Sequence, residues 1–182
     1  MSPAGNERGQ ATALTILTPI RRGWPLWLWA WFALARVLPL QRWTLLRLKR
    51  IHFARFAVVS RLDGRRLHSR HLLFESNFNG NWHSYLEAFC QVFPKGMWGL
   101  WGSAHGWPGV APVAGFKHWV RRNEFVASHY WSAYPEATTR DILAALDTEP
   151  RVRALAGAAP GMDPERFQAE WNELLRAAVR AP

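Results

Sequence analysis

The sequence feature that most constrains the fold is the apolar stretch WPLWLWAWFALARVLP, residues 24–39, with four tryptophans in its first eight positions. The spacing of Trp24, Trp27 and Trp31 predicts a helix over 24–38. Arg36 is its one charged residue, so this helix has no continuous polar face. A helix that is apolar all round must be covered on every side by protein or by lipid.

Four interpretations of this helix can be compared: a membrane span, a signal peptide, a lipid interface and a contact with a partner subunit. A span of 24–38 would reach about 22 Å, which is short of the roughly 30 Å hydrocarbon core of a bilayer. Arg21-Arg22 and the later Ala33-Leu34-Ala35 imitate a signal peptide, but cleavage there would discard the strand predicted just upstream. The remaining environments are a lipid interface and a partner subunit, and we favour the lipid interface. The expected membrane-contacting residues are Trp24, Trp27, Trp29, Trp31 and Phe32.

The positive charge of the chain is concentrated around this helix. From Arg21 to His71 there are twelve Lys and Arg and one acid, whereas the rest of the chain has eleven basic and twelve acidic residues. Basic side chains near an anionic bilayer gain about 1 kcal/mol each, so the sequence predicts an anionic membrane surface as partner and peripheral attachment to the cytoplasmic face. Nucleic acid is disfavoured, because the arginines flank an apolar helix rather than polar base-reading elements. The expected basic rim is Arg21, Arg22, Arg36, Arg42, Arg47, Lys49 and Arg50.

The order of the predicted elements indicates the fold class. After a disordered leader over 1–10, alternation and turn signals predict a first strand, the tryptophan helix, two further strands, a helix and a fourth strand. This order predicts an α+β domain of the ferredoxin-like βαββαβ type over 11–158, with an additional C-terminal helix within 159–182. The predicted strands are 12–20, 52–62, 70–78 and 127–135, the later helices are 81–93, 137–157 and 163–180, a short basic amphipathic piece covers 41–50, and 94–115 is predicted as a loop.

Strand alternation separates a core face from a candidate ligand face. Leu72, Phe74, Ser76 and Phe78 belong under the helices, which leaves Glu75 and Asn77 on the other face. Pairing of the second and third strands as a hairpin would place Arg55 beside Glu75, with Phe53 nearby. Such a face either meets solvent or lines a cavity, and a cavity of this kind suits an amphipathic ligand.

If this face is a ligand-binding site, its residues can be assigned chemical roles. Arg55 would anchor an anionic group, and Glu75 or His129 would move a proton. The sequence does not decide which face of the fourth strand lies on the same side as Arg55 and Glu75. Either His129 or Tyr130 with Tyr134 therefore completes the cavity. The expected ligand-binding residues are Phe53, Asn77, Tyr130 and Tyr134. The alternative is a structural Arg55–Glu75 ion pair.

Other site chemistry is weakly represented. The sequence contains no P-loop, no dinucleotide-binding glycine fingerprint and no nucleophile elbow. Its histidines lack the spacing of metal ligands, so no metal site is expected. Cys90, the single cysteine, lies between aromatic residues of a predicted helix and is expected to be buried, and its isolation mildly favours a reducing compartment.

Three segments together resemble a known group of proteins. HFAR at 52–55, LLFESNFNG at 72–80 and SAYPEAT at 132–138, in this order, are similar to an uncharacterised bacterial group within the dimeric α/β-barrel superfamily. The resemblance implies a ferredoxin-like homodimer whose sheets pair to enclose a barrel. Relatives include cofactor-free monooxygenases and haem proteins such as Dyp-type peroxidases and chlorite dismutases. Haem is therefore a possible cofactor, with His105, His118 or His129 as its ligand.

The sequence predicts a membrane-surface protein that binds a hydrophobic or lipid-like small molecule in a sheet-lined cavity. If it is an enzyme, the expected chemistry is oxidation of that molecule by a monooxygenase-like or peroxidase-like oxidoreductase. The alternative is a non-catalytic accessory protein on the membrane.

Overall fold

The computed structural model describes residues 4–37, 48 and 50–180, and it has a mixed α+β architecture with an antiparallel sheet. The chain divides into two compact units, the first ending at Glu136 and the second beginning at Ala137. In the first unit the strands are β1 (Glu7–Arg8), β2 (Ala11–Pro19), β3 (Ile51–Leu62), β4 (Arg65–Asn79) and β5 (Glu124–Phe125), and the helices are α1 (Trp24–Val37), α2 (Trp82–Val92), α3 (Pro94–Trp101) and α4 (Val113–Asn123).

The sheet has the strand order β1-β2-β4-β3, and β5 pairs with β2. All pairings are antiparallel. The β3–β4 register places Arg55 opposite Glu75, and the β2–β4 register places Glu75 opposite Thr15. The predicted hairpin and its shared Arg55–Glu75 face are therefore confirmed, and β4 is longer than the predicted strand over 70–78.

Helices cover one face of this sheet and form the core with it. The predicted core face of β4 is confirmed, because Leu72, Phe74, Ser76 and Phe78 are at most 1% exposed. Burial of an apolar side chain of this size stabilises the fold by about 1.5–3 kcal/mol. The helical residues that meet this face include Leu28 of α1, Trp82, Tyr85 and Phe89 of α2, Met97 and Trp101 of α3, and Phe116 and Val120 of α4.

The second unit contains two helices. Helix α5 (Thr139–Ala158) begins with a capping box between Thr138 and Asp141. Helix α6 (Pro164–Arg180) begins after Asp163, whose carboxylate accepts the Arg166 backbone N–H at 2.9 Å and so caps the helix. The two helices contact each other, whereas the sequence placed the domain boundary at 158, between them.

Three predictions about elements differ from the structure. The leader is not disordered over residues 4–10, because Asn6 is 1% exposed and β1 pairs with β2. The predicted loop contains α3, whose apolar side chains are held by tertiary packing that no local pattern reveals. The predicted strand 127–135 does not form: β5 ends at Phe125, and irregular structure follows to 138. The predicted piece over 41–50 lies outside the described residues except for Leu48 and Arg50.

Candidate functional site

Helix α1 has an inner and an outer face, and both are apolar. On the inner face, Leu28 is fully buried, and Trp24, Trp31 and Phe32 are partly buried against the core. The centroids of the Phe32 and Phe56 rings are 6.1 Å apart, which fixes the middle of the helix over β3. The inner face therefore explains only part of the apolar sequence.

The outer face of α1 is exposed. Leu26, Trp29 and Leu34 are 78%, 59% and 51% exposed, and Val37 is 78% exposed. Ala30 and Ala33 lie between them and are also exposed. These six residues recur at helical spacing, so they form one continuous stripe on the helix surface. We call Leu26, Trp29, Ala30, Ala33, Leu34 and Val37 the outer stripe.

Helix α3 holds α1 in its orientation. The Trp27 indole N–H donates to the Gly99 carbonyl oxygen at 3.1 Å, and Trp31 packs against Gly99 so closely that a Cβ there would lie 2.7 Å from its ring. Trp98, the neighbour of Gly99, is 55% exposed. The outer stripe is therefore presented by a helix that is fixed at two tryptophans.

Basic residues lie at both ends of the stripe. Arg22 is exposed and Arg21 half-buried just before α1, and Arg36 is exposed in its last turn. The predicted rim residues Arg42, Arg47 and Lys49 lie outside the described residues. Within the described part of the chain, no helix has the length and apolar character needed to cross a membrane.

The candidate sheet site is partly assembled. Arg55 and Glu75 form an ion pair across β3 and β4, with side chains 65% and 28% exposed. Phe53 and Asn77 form the next cross-strand pair on the same face, and Phe53 is 50% exposed. The structure therefore brings together four of the predicted residues on the face that the helices leave uncovered, which we call the open face.

The other predicted site residues are not placed with them. His129, Tyr130 and Tyr134 lie in the irregular segment after β5, and β5 is separated from β3 by β2 and β4. Three strand spacings correspond to about 14 Å. Among the described contacts, no hydrogen bond or ion pair joins these three residues to Arg55 or Glu75. Partial burial raises the pKa of the Tyr130 hydroxyl, and Tyr134 is 75% exposed.

The candidate haem ligands do not form a haem pocket. His105, His118 and His129 are all exposed, and they lie on a loop, on α4 and in the segment after β5. A haem-ligating histidine needs an apolar pocket around its iron-facing nitrogen. In the described residues, no three His, Cys, Asp or Glu side chains are grouped as metal ligands would be.

A buried carboxylate that the sequence pattern did not reveal lies at the start of β5. The Glu124 side chain is 2% exposed, and Arg121 donates to it at 3.1 Å. The Arg121 guanidinium also lies 3.8 Å from the Trp82 ring centroid. Desolvation raises the pKa of Glu124, and Arg121, Trp82 and Asn6 partly oppose this rise. Asn6 accepts the Ala127 backbone N–H at 2.6 Å, which ties the N-terminal segment to this cluster.

The prediction that Cys90 is buried is confirmed. The side chain is 9% exposed, and burial raises the pKa of its thiol. A raised pKa keeps the sulfur protonated and weakly nucleophilic at neutral pH. Cys90 therefore acts as a small apolar core residue of α2.

Comparisons of the chain with protein-family models, curated proteins and solved structures find no significant match. The resemblance to the dimeric α/β-barrel superfamily stays a prediction.

Proposed function

We propose that this protein attaches peripherally to anionic membranes through the outer stripe of helix α1. The observation that carries the proposal is the exposure of Leu26, Trp29, Leu34 and Val37 on one side of a helix whose other side is packed into the core. A soluble surface helix normally presents polar side chains on its outer face. Apolar and aromatic side chains on that face instead suit the boundary between head groups and acyl chains.

Electrostatics support the same partner. Arg22 and Arg36 flank the stripe and are exposed, so their charges can reach lipid phosphates while the stripe enters the interface. Tryptophan is itself enriched at membrane interfaces. The proposal includes the cytoplasmic face as the site of attachment, because positive charge favours the anionic cytoplasmic leaflet.

Vesicle flotation of the full-length protein tests this proposal. Wild-type protein is expected to float with phosphatidylcholine–phosphatidylglycerol vesicles. Trp29→Ser is expected to weaken partitioning by about tenfold or more, because transfer of a large apolar side chain out of water gains about 1.5–3 kcal/mol.

Trp131→Ser is the matched control. Trp131 is 70% exposed but lies after β5, away from α1 in the chain. The control is expected to bind as wild type does. Failure of the wild type to float, or equal losses in the two variants, would contradict membrane attachment through α1.

The open face supports a second candidate function. The strand order β5-β2-β4-β3, with helices on one face, is the arrangement expected of a ferredoxin-like domain, and we propose that fold for the first unit. We further propose that a second copy of the chain covers the open face and that a hydrophobic or lipid-like small molecule binds between the sheets. The specific support is that Phe53, Arg55, Glu75 and Asn77 lie together on this face. Oxidation of the bound molecule remains a proposal, with a non-catalytic accessory role as its alternative.

Native mass spectrometry tests the second candidate. Protein extracted gently from membranes is expected to appear as a dimer with extra mass from a bound molecule. Arg55→Ala and Glu75→Ala are expected to lose that mass while remaining folded and membrane-bound. A bare dimer in both wild type and variants would leave the Arg55–Glu75 pair as a structural contact only.

A further inference from the structure

The hairpin of β3 and β4 extends beyond the rest of the sheet. The β2–β4 ladder ends at Pro19 and His71, and the last contact is the Ile20 backbone N–H donating to the Arg70 carbonyl oxygen at 2.8 Å. Beyond this point β3 pairs with β4 after a register irregularity between Val59 and Arg61, and residues 60–62 of β3 extend the hairpin by about 10 Å. We call residues 60–70 the arm.

The outer part of the arm is a paired β-hairpin and not a loose loop, with Arg61 opposite Arg66. Leu62 pairs with Arg65, which leaves Asp63 and Gly64 as a two-residue turn. Their φ angles are 49° and 76°, as a type I′ turn requires at both central positions. Asp is one of the few residues that tolerate this conformation, and Gly meets it without steric cost. The turn therefore fixes the backbone positions from which the side chains of the tip project.

The arginines of the arm repel one another in the folded hairpin. Arg61 lies directly opposite Arg66, and like charges at directly opposite positions destabilise a sheet. Arg65 and Arg70 add to the positive potential of the arm, and Asp63 at the turn is the one acidic residue of the arm. Among the described residues, none of these four arginines forms an ion pair with an acidic side chain. The arm thus carries repulsion that an anionic partner would relieve.

The arm starts at the end of the sheet where α1 begins. Ile20, which contacts Arg70, is followed directly by Arg21 and Arg22 and then by α1. The outer stripe begins at Leu26. The basic residues of the arm and the basic residues that precede the outer stripe therefore lie at the same end of the sheet. A partner that fits both must offer negative charge beside an apolar layer.

We infer that the arm binds the head groups of anionic phospholipids and forms a second membrane contact beside α1. This inference rests on the proposed membrane attachment and extends it to a separate element. A basic β-ribbon also suits a nucleic-acid groove. The exposed apolar stripe beside the arm favours the lipid surface, because a nucleic-acid backbone provides no apolar layer for Leu26 and Trp29.

Charge reversal at Arg66 tests the arm. With the full-length protein and phosphatidylcholine–phosphatidylglycerol vesicles, Arg66→Glu is expected to weaken binding by about 30-fold, since it removes one favourable charge and adds one unfavourable charge. The same variant replaces the Arg61–Arg66 repulsion with attraction, so its melting temperature is expected to rise by about 1–3 °C. Weaker binding together with higher stability cannot result from unfolding.

Arg8→Glu is the matched control, because Arg8 is exposed on β1 at the opposite edge of the sheet. Its effect on vesicle binding is expected to stay within about threefold, since salt screens charges that lie far from the contact.

The outcomes separate the two proposals. If Trp29→Ser loses flotation while Arg66→Glu and Arg8→Glu bind equally, the proposed lipid contact of the arm is wrong. Attachment through α1 would remain. Failure of the wild type to float would overturn both. Arm-dependent binding of single-stranded or duplex RNA, with no vesicle binding, would identify nucleic acid as the partner and overturn the lipid assignment.

Discussion

At the scale of single residues, Glu124 has the sharpest conflict between burial and charge. Its side chain is 2% exposed, and the Arg121 guanidinium forms an ion pair with one of its carboxylate oxygens. Desolvation raises its pKa above the ordinary value despite the nearby Arg121 guanidinium. A group with a raised folded-state pKa contributes stability below its unfolded pKa and loses that contribution as the pH rises through the folded pKa.

Replacing Glu124 therefore has a pH-dependent effect on stability. Glu124→Gln keeps the shape of the side chain and removes the buried charge. We expect the free energy of unfolding of this variant, relative to wild type, to increase as the pH rises from acidic to neutral. Urea unfolding at a series of pH values measures this difference directly.

Glu87 provides a control whose pKa is shifted in the opposite direction. It accepts a hydrogen bond from Lys117 at 2.5 Å, and this contact lowers its pKa. Its stabilising contribution is present above the unfolded pKa and lost as the pH falls. Glu87→Gln should therefore become relatively less stable toward neutral pH. Parallel slopes for the two variants would show that burial of Glu124 is not the cause.

Residue positions could be predicted from the sequence where a local rule fixed them. Alternation along β3 and β4 and their expected pairing as a hairpin placed Arg55 beside Glu75, and the structure confirms that placement. His129 was placed with them only through a fourth strand over 127–135 that does not form. Glu124 gave no local signal, because one of the groups around it, Asn6, comes from 118 positions earlier in the chain.

At the scale of elements, the contact between α1 and α3 sets the orientation of the outer stripe. Gly99 permits this contact, since a Cβ at this position would lie 2.7 Å from the Trp31 ring. Gly99→Ala should destabilise the fold, because overpacking costs about 1–3 kcal/mol, whereas the gain in helix propensity is about 0.8–1.0 kcal/mol. Denaturant unfolding followed by tryptophan fluorescence gives the net loss.

Gly157→Ala is the control for helix propensity. Gly157 lies in α5, and nothing is within 4 Å of the position a Cβ would occupy. This variant should gain stability or stay unchanged. Equal stability of wild type and Gly99→Ala would mean that Trp31 repacks freely and that the contact does not fix α1.

The elements that could be predicted are those with a strong local period. The tryptophan helix, the β3–β4 hairpin and α2 follow directly from spacing and turn residues. Helix α3 could not be predicted in the same way, because Gly96 and Gly99 weaken the helical signal. Its Met97, Leu100 and Trp101 are at most 3% exposed, so core packing stabilises a helix that propensity alone disfavours.

At the scale of the whole molecule, the proposed second copy requires the open face to act as an interface. This face places Leu73 of β4 between Leu17 of β2 and Ala57 of β3, and the ion pair of Arg55 and Glu75 lies in the next row. Apolar side chains around a satisfied ion pair are compatible with a symmetric sheet-on-sheet contact. Light scattering after gel filtration should therefore give twice the chain mass for the wild type.

Leu73→Lys should convert this dimer to a monomer, because a lysine ammonium at the centre of the contact would be desolvated without an acidic partner. Leu34→Lys, on the outer stripe of α1, should remain dimeric but lose membrane binding. Each variant then removes one of two separate surfaces of the same unit. A wild type that is monomeric at all concentrations would remove the enclosed ligand site, because the open face would then lie in solvent, while attachment through α1 would be unaffected.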